Sequence, residues 1–169
     1  MNYTTKCVGT IFVFVLKKAM MRKSLTLLLL VVASSFYAAN AQDYKVAVGI
    51  RLSNATPTLS NAITLKYHMT EQHALEGIVS FGTRFGIGGL YEIHKMTTVQ
   101  GLNWFYGGGA YVGFQDGDTY LGPTGIIGLD YKFPSIPLNL SLDWKPELDF
   151  IPAINFVPDA FGFSARFTF

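Results

Sequence analysis

The sequence predicts an all-β chain: an eight-stranded antiparallel up-and-down transmembrane β-barrel that follows a cleavable signal peptide. Three observations predict it. A basic, then apolar, then small-residue pattern occupies the first 41 residues. Eight later segments alternate apolar and polar residues with period two, and no stretch has a convincing helical period. The last segment, Phe161 to Phe169 (FGFSARFTF), puts Phe161, Phe163, Phe167 and Phe169 on one parity with Ala165, and Gly162, Ser164, Arg166 and Thr168 on the other.

In the leader, Arg22 and Lys23 precede Leu25–Val32 (LTLLLLVV), and small residues follow to Ala39-Asn40-Ala41. That order is the signature of a secretory signal peptide, with Ala39 and Ala41 as the small residues of the cleavage site and Gln42 as the mature N-terminus. Residues 1–41 are thus a leader and 42–169 the barrel. A second apolar run, Ile11–Leu16, lies ahead of Lys17 and Lys18, which makes Met20 or Met21 the expected start of translation. Cys7 is the sole cysteine and falls in the leader, so the mature chain has neither disulfide nor thiolate chemistry.

Charge follows the same division. Five of the 13 Lys and Arg precede the cut and all 11 Asp and Glu follow it, so eight basic face 11 acidic side chains, a net −3. No nucleic-acid partner is expected of such a surface.

The eight segments come in order. The first sets Tyr44, Val46, Val48, Ile50 and Leu52 against Lys45, Ala47, Gly49 and Arg51. In the second, Ile63, Leu65, Tyr67 and Met69 oppose Thr64, Lys66 and His68; in the third, Leu75, Gly77, Val79 and Phe81 oppose Glu76, Ile78 and Ser80. The fourth places Phe85, Ile87, Tyr91 and Ile93 opposite Gly86, Gly88, Glu92 and His94. The fifth, Leu102 to Phe114, collects Trp104, Tyr106, Ala110, Val112 and Phe114 on one parity and Gly107, Gly109 and Gly113 on the other. Ile127, Leu129 and Tyr131 alternate with Gly128, Asp130 and Lys132 in the sixth, and Leu138, Leu140, Leu142 and Trp144 with Asn139, Ser141, Asp143 and Lys145 in the seventh. The aromatic terminal segment is the eighth.

The polar parity carries charges of both signs. Lys45, Arg51, Lys66, Glu76, Glu92, Asp130, Asp143, Lys145 and Arg166 are expected to form a structural ion-pair network in the lumen. An eight-stranded interior is only just filled by side chains, so the two Trp, the leucines and the terminal Phe would overfill it. Facing lipid they meet no such limit, and the charges pair inside. With both termini at the periplasmic end, the outward connections are Ser53–Asn61, Gly82–Arg84, Gln115–Gly122 and Pro146–Asp159. Thr70–Gln72, Lys95–Gln100 and Phe133–Pro137 are the inward ones. Tyr67, Tyr91, Trp104, Tyr131 and Trp144 are expected near strand ends as an interfacial aromatic girdle.

With its leader, eight strands and terminal FGFSARFTF, the chain resembles the small OmpA/OmpX-like outer-membrane barrels of Gram-negative bacteria, over residues 20–169. The segments GLNWFYGGGAYVGF and GLDYKFPSIPLNLSLDWKPELDF also look like those of uncharacterised outer-membrane β-barrel domains. The resemblance implies outer-membrane localisation. It also implies recognition of Phe161, Phe163, Phe167 and Phe169 by the barrel assembly machinery as a C-terminal signal.

Candidate chemistry reads more simply as structure. His68, Glu71 and His73 surround one turn, but the two histidines have opposite parities, which argues against a shared metal ion. Asp116-Gly117-Asp118 lacks the further ligands of a calcium loop and reads as a polar turn. Gly107–Gly109 and Gly113 do not complete a nucleotide-binding glycine pattern, since Val112 holds its last position. A lipid-modifying enzyme, a deacylase or acyltransferase, needs His beside a nucleophile at the outer rim, and all three histidines fall near periplasmic strand ends. No catalytic, metal or cofactor site is therefore expected. The expected role is structural or surface-interacting, with outer-membrane lipid around the wall and an extracellular partner at the outward loops. The remaining alternative, a soluble periplasmic barrel around an apolar ligand, requires the aromatic face to point inward.

Overall fold

The computed structural model describes residues 44–54 and 57–169; the expected leader, with Ala39, Ala41 and the alternative starts, lies outside them. The described residues form ten strands and no helix: β1 (Val46–Ser53), β2 (Ala62–His68), β3 (His73–Phe81), β4 (Phe85–Met96), β5 (Leu102–Gln115), β6 (Asp118–Lys132), β7 (Leu138–Trp144), β8 (Glu147–Asp149), β9 (Asn155–Val157) and β10 (Phe161–Thr168). Consecutive strands from β1 to β7 pair antiparallel, β10 pairs with β7, and β1 pairs with β10, closing an eight-stranded antiparallel barrel.

Closure forces the strands to tilt. Val46 at the start of β1 stands opposite Tyr67, which faces Leu75, then Tyr91, Gly108 and Gly125 in the middle of β6. One row of partners thus climbs from a strand end to mid-strand within five steps. The seam lies between β1 and β10, where Ala47 to Ser53 pair with Thr168 to Gly162. Beyond the last ladder residue the Phe169 N–H donates to Val46 O at 2.8 Å, and Phe169 O accepts from Lys45 N at 3.2 Å.

Two connections differ from expectation. The segment Gln115–Gly122 is no loop: β5 and β6 stay paired up to Gln115 and Asp118, joined by Asp116 and Gly117 alone. Their φ values of +52° and +91° are those of a primed two-residue turn, whose twist matches the strands it joins. The Asp-Gly pair carries that signal, and the polar residues after it mask the start of β6. Pro146–Asp159 is also structured. β8 continues the β7 register along β6, since Ile127 faces Trp144 and Thr124 faces Glu147. Pro146 lacks an N–H and interrupts the ladder between them, so the alternation breaks in the sequence but not in space. β9 folds back on β8 and leads into β10 with one residue more than the β7–β8 side holds.

The inside and outside of the barrel follow side-chain parity. In β7, Leu142 is 57 % exposed while Ser141 and Asp143 are 2 % and 3 %. Ile50, Leu52, Ile63, Leu65, Phe85, Ile87, Leu129 and Phe163 are likewise exposed on the outer wall. Tyr91, expected near a strand end, sits inside β4 between Leu75 and Gly108. At Gly107 and Gly109 on the inner face, β4 and β5 draw so close that a Cβ would meet the Tyr91 and Gly89 carbonyl oxygens at 2.0 and 1.9 Å. These two positions have room for glycine alone.

The turn gives a direct test. Gly117→Val should lower the unfolding free energy by about 1–2 kcal/mol, because a β-branched residue resists positive φ. Asp116→Asn should leave it within about 0.5 kcal/mol, since Asn tolerates that region. Urea unfolding of both variants measures the contrast.

Candidate functional site

The chemistry-bearing residues gather in the lumen, where each inner-facing strand position contributes one side chain. Of the nine residues expected there, eight are buried: Arg51, Lys66, Glu76, Glu92, Asp130, Asp143, Lys145 and Arg166. Lys45 is the exception. It precedes β1, beyond the enclosing ladder, and is exposed.

Near the end where β1 begins and β10 finishes, Glu92 forms an ion pair with Lys66 Nζ at 2.8 Å and accepts from the His94 ring at 2.9 Å. Lys66 also approaches Asp130 at 3.7 Å and lies over the Phe105 ring, 4.5 Å from its centroid. Asn139 donates to Asp130 at 2.7 Å. Arg166 reaches across from β10 to Glu76, bonding also to Thr64 at 3.2 Å and Ser141 at 2.7 Å. Four strands besides its own are thereby tied to one guanidinium, directly or through Asn139 and Asp130.

Histidines close this end. His68 and His94 rings stand 5.0 Å apart, His94 stacks on Phe105, and His68 shares a 3.1 Å hydrogen bond with the Tyr44 hydroxyl. Tyr44 lies ahead of β1; burial, with the Asp130 charge behind it, pushes its hydroxyl well above the usual tyrosine range. His73 turns the other way and bonds to Tyr91 on the outer face at 2.7 Å. Among the described residues no group of three or more His, Cys, Asp or Glu is placed to hold a metal ion.

The opposite half of the lumen holds features that sequence reasoning missed. Residues 57–60, expected on an outward loop, fold into the barrel: Thr58 and Leu59 are fully buried and Ser60 nearly so. Glu147 on β8 holds this plug by accepting from the backbone N–H groups of Leu59 at 2.9 Å and Thr58 at 3.3 Å. Lys145 balances Glu147 at 3.1 Å. Glycines make the room: a Cβ on Gly113 would lie 2.6 Å from Thr58 Cγ2, and one on Gly88 2.8 Å from Leu59 Cδ1. Leu59 then joins Ile78, Leu90, Phe105, Tyr111 and Ile126 in an apolar cluster inside the barrel.

Above the plug, Arg84 pairs with Asp149 at 3.0 Å, bonds to Thr58 Oγ1 at 3.2 Å and stacks on the Tyr120 ring. Tyr111 donates to the same Asp149 at 2.8 Å. Arg84 had only a turn position in the sequence, and Glu147 and Asp149 lie where the prolines break the alternation, so their partners were not legible. Between plug and inner layer, Arg51 and Asp143 form a two-pronged pair with both bonds at 2.6 Å. A Cβ on Gly162 would fall 2.1 Å from Arg51 Nη2, so the missing side chain is what admits the guanidinium.

The arrangement is suited to holding charge in place and closing the lumen. Among the described residues the plug, the apolar cluster and the inner ion pairs occupy the lumen. Comparison with protein families, with curated proteins and with solved structures found no match for this chain.

The Arg51–Asp143 pair gives a test of the lumen energetics. Asp143→Ala strands a buried guanidinium and should cost about 3–5 kcal/mol, whereas Arg51→Met with Asp143→Leu should recover most of that loss. Unfolding free energies of the single and double variants measure it.

Proposed function

We propose that the chain is a non-enzymatic integral outer-membrane β-barrel of the small OmpA/OmpX-like kind, with a plugged, charge-paired lumen and a structural or surface-interaction role. The observation that carries this reading is the reversed polarity of the barrel. Large apolar side chains stand exposed on the outer wall of each of the eight closing strands, and ionic side chains are buried inside. In water such a wall is costly, because monomeric soluble proteins rarely expose contiguous apolar patches beyond a few hundred Å². In a hydrocarbon layer it is the stable arrangement, and closure leaves no unpaired strand edge within the barrel wall.

With the termini in the periplasm, the far end faces outward. Of the three long connections expected there, the first turns inward as the plug and the second is a two-residue turn. Contact with an extracellular partner therefore falls to the β8–β9 hairpin, where Phe150, Ile154 and Phe156 are exposed. The terminal Phe residues support recognition by the assembly machinery. Phe161, Phe163 and Phe169 present their rings outward, and Phe167 packs edge-on against Phe169 with centroids 4.9 Å apart.

Two experiments test the proposal. Detergent-extracted protein should fractionate with outer membranes and change its gel mobility on heating; periplasmic fractionation without a mobility change overturns the reading. Phe169→Ala keeps the backbone bonds of the seam and removes only an exposed ring. It should lower assembly in vivo several-fold while changing the unfolding free energy of the refolded barrel by about 1 kcal/mol or less.

A further inference from the structure

The buried charges of the lumen do not balance. Three pairs match one to one: Arg51 with Asp143, Arg84 with Asp149, and Lys145 with Glu147. The inner layer is left with two cations, Lys66 and Arg166, against three carboxylates, Glu76, Glu92 and Asp130. An uncompensated charge at a site this buried is strongly disfavoured.

Three carboxylate oxygens of this layer are buried without a hydrogen-bond partner; Asp130 Oδ1 still has Lys66 Nζ at 3.7 Å, and the other two belong to Glu76 and Glu92. Glu76 uses Oε1 for Arg166 and Thr64, and its Oε2 is buried with no other partner. Glu92 uses Oε2 for Lys66 and His94, and its Oε1 is likewise buried without one. Glu76 stands opposite Leu90 in the β3–β4 ladder, so Glu92, two residues along on the same inner face, is its diagonal neighbour and the two carboxyl groups meet. Ionised carboxylates only accept, so this contact is repulsive unless one of them carries a proton.

We propose that Glu76 and Glu92 share one proton, making the inner layer of the lumen a built-in proton-binding site. The shared proton satisfies the unpartnered oxygens of the two glutamates and removes the excess charge in one step. Placing it on His94 would offset the charge but leave the Glu76 and Glu92 oxygens without a partner. That ring already reaches Glu92 through Nε2, and its buried Nδ1 has no acceptor in reach for a second N–H.

The charged and titratable groups facing the pair are Arg51 of β1, Lys66 and His68 of β2, His94 of β4, Asp130 of β6 and Arg166 of β10, with Tyr44 beyond the histidines. From β5 and β7 the layer receives uncharged groups, Phe105, Asn139 and Ser141. At neutral pH the folded barrel then holds a proton that the unfolded chain releases. By linkage its stability falls as pH rises through the loss of that proton.

Infrared spectroscopy of the refolded full barrel tests this directly. One protonated carboxyl per chain is expected at neutral pH, absent from Glu92→Gln, whose amide N–H replaces the shared O–H and lets the variant fold. The fall of the wild-type unfolding midpoint as pH rises above the carboxyl range of the unfolded chain should flatten in the same variant. No protonated carboxyl in the wild type, a band that survives Glu92→Gln, or a doubly protonated His94 seen by nitrogen NMR at neutral pH each overturns the proposal. These readouts concern the folded barrel alone, so they stand or fall apart from its localisation.

Discussion

Closure of the seam between β1 and β10 governs the interior. Those two strands bring Arg51 and Arg166, whose guanidinium groups reach across the lumen to β7 and β3. If the seam opens, both lose their partners and the polar interior meets solvent or lipid. The dependence runs both ways, because each cross-lumen pair holds the seam strands at one register. A one-residue slip would turn Arg51 and Arg166 to the outer wall and bring Ile50 and Phe167 inside. The backbone of Phe169 completes the ladder, so the last residue has a part in closure besides any role in recognition.

Buried ion pairs are weak sources of net stability, since desolvation offsets much of the attraction. Their abundance here fits another role, that of fixing which strands are neighbours and at what stagger. The interior is layered accordingly, with histidines and an ion-paired layer toward the start of β1 and the end of β10, an apolar cluster in the middle, and the plug with its Glu147 anchor toward the far end. The apolar cluster is a small core of the usual kind, supplied partly by a loop segment. Barrel glycines at the inner face serve that arrangement, Gly88 and Gly113 by admitting the plug and Gly162 by admitting Arg51.

Much of this was legible from period two alone. Parity placed Arg51, Lys66, Glu76, Glu92, Asp130, Asp143, Lys145 and Arg166 inside, because alternation along a strand is local geometry and survives any global arrangement. Lys45 failed the same argument by lying just outside the enclosing ladder. The connections failed it more broadly. Asp116-Gly117 is a tight turn whose polar followers look like loop, and Pro146 conceals the continuation of β7 into β8. Thr58 and Leu59 lie in a polar segment that no periodicity directs inward.

What the chain's residues determined by themselves is the number of closing strands and the side of the wall each residue faces, since both follow from alternation and turn chemistry over short stretches. Only the tertiary structure decided which charges meet, that residues 57–60 fill the lumen, and that three carboxylates share a layer with two cations. Those depend on shear: the stagger accumulated around a closed sheet sets which residues of distant strands stand at one level, and that sum exists only once the barrel is closed.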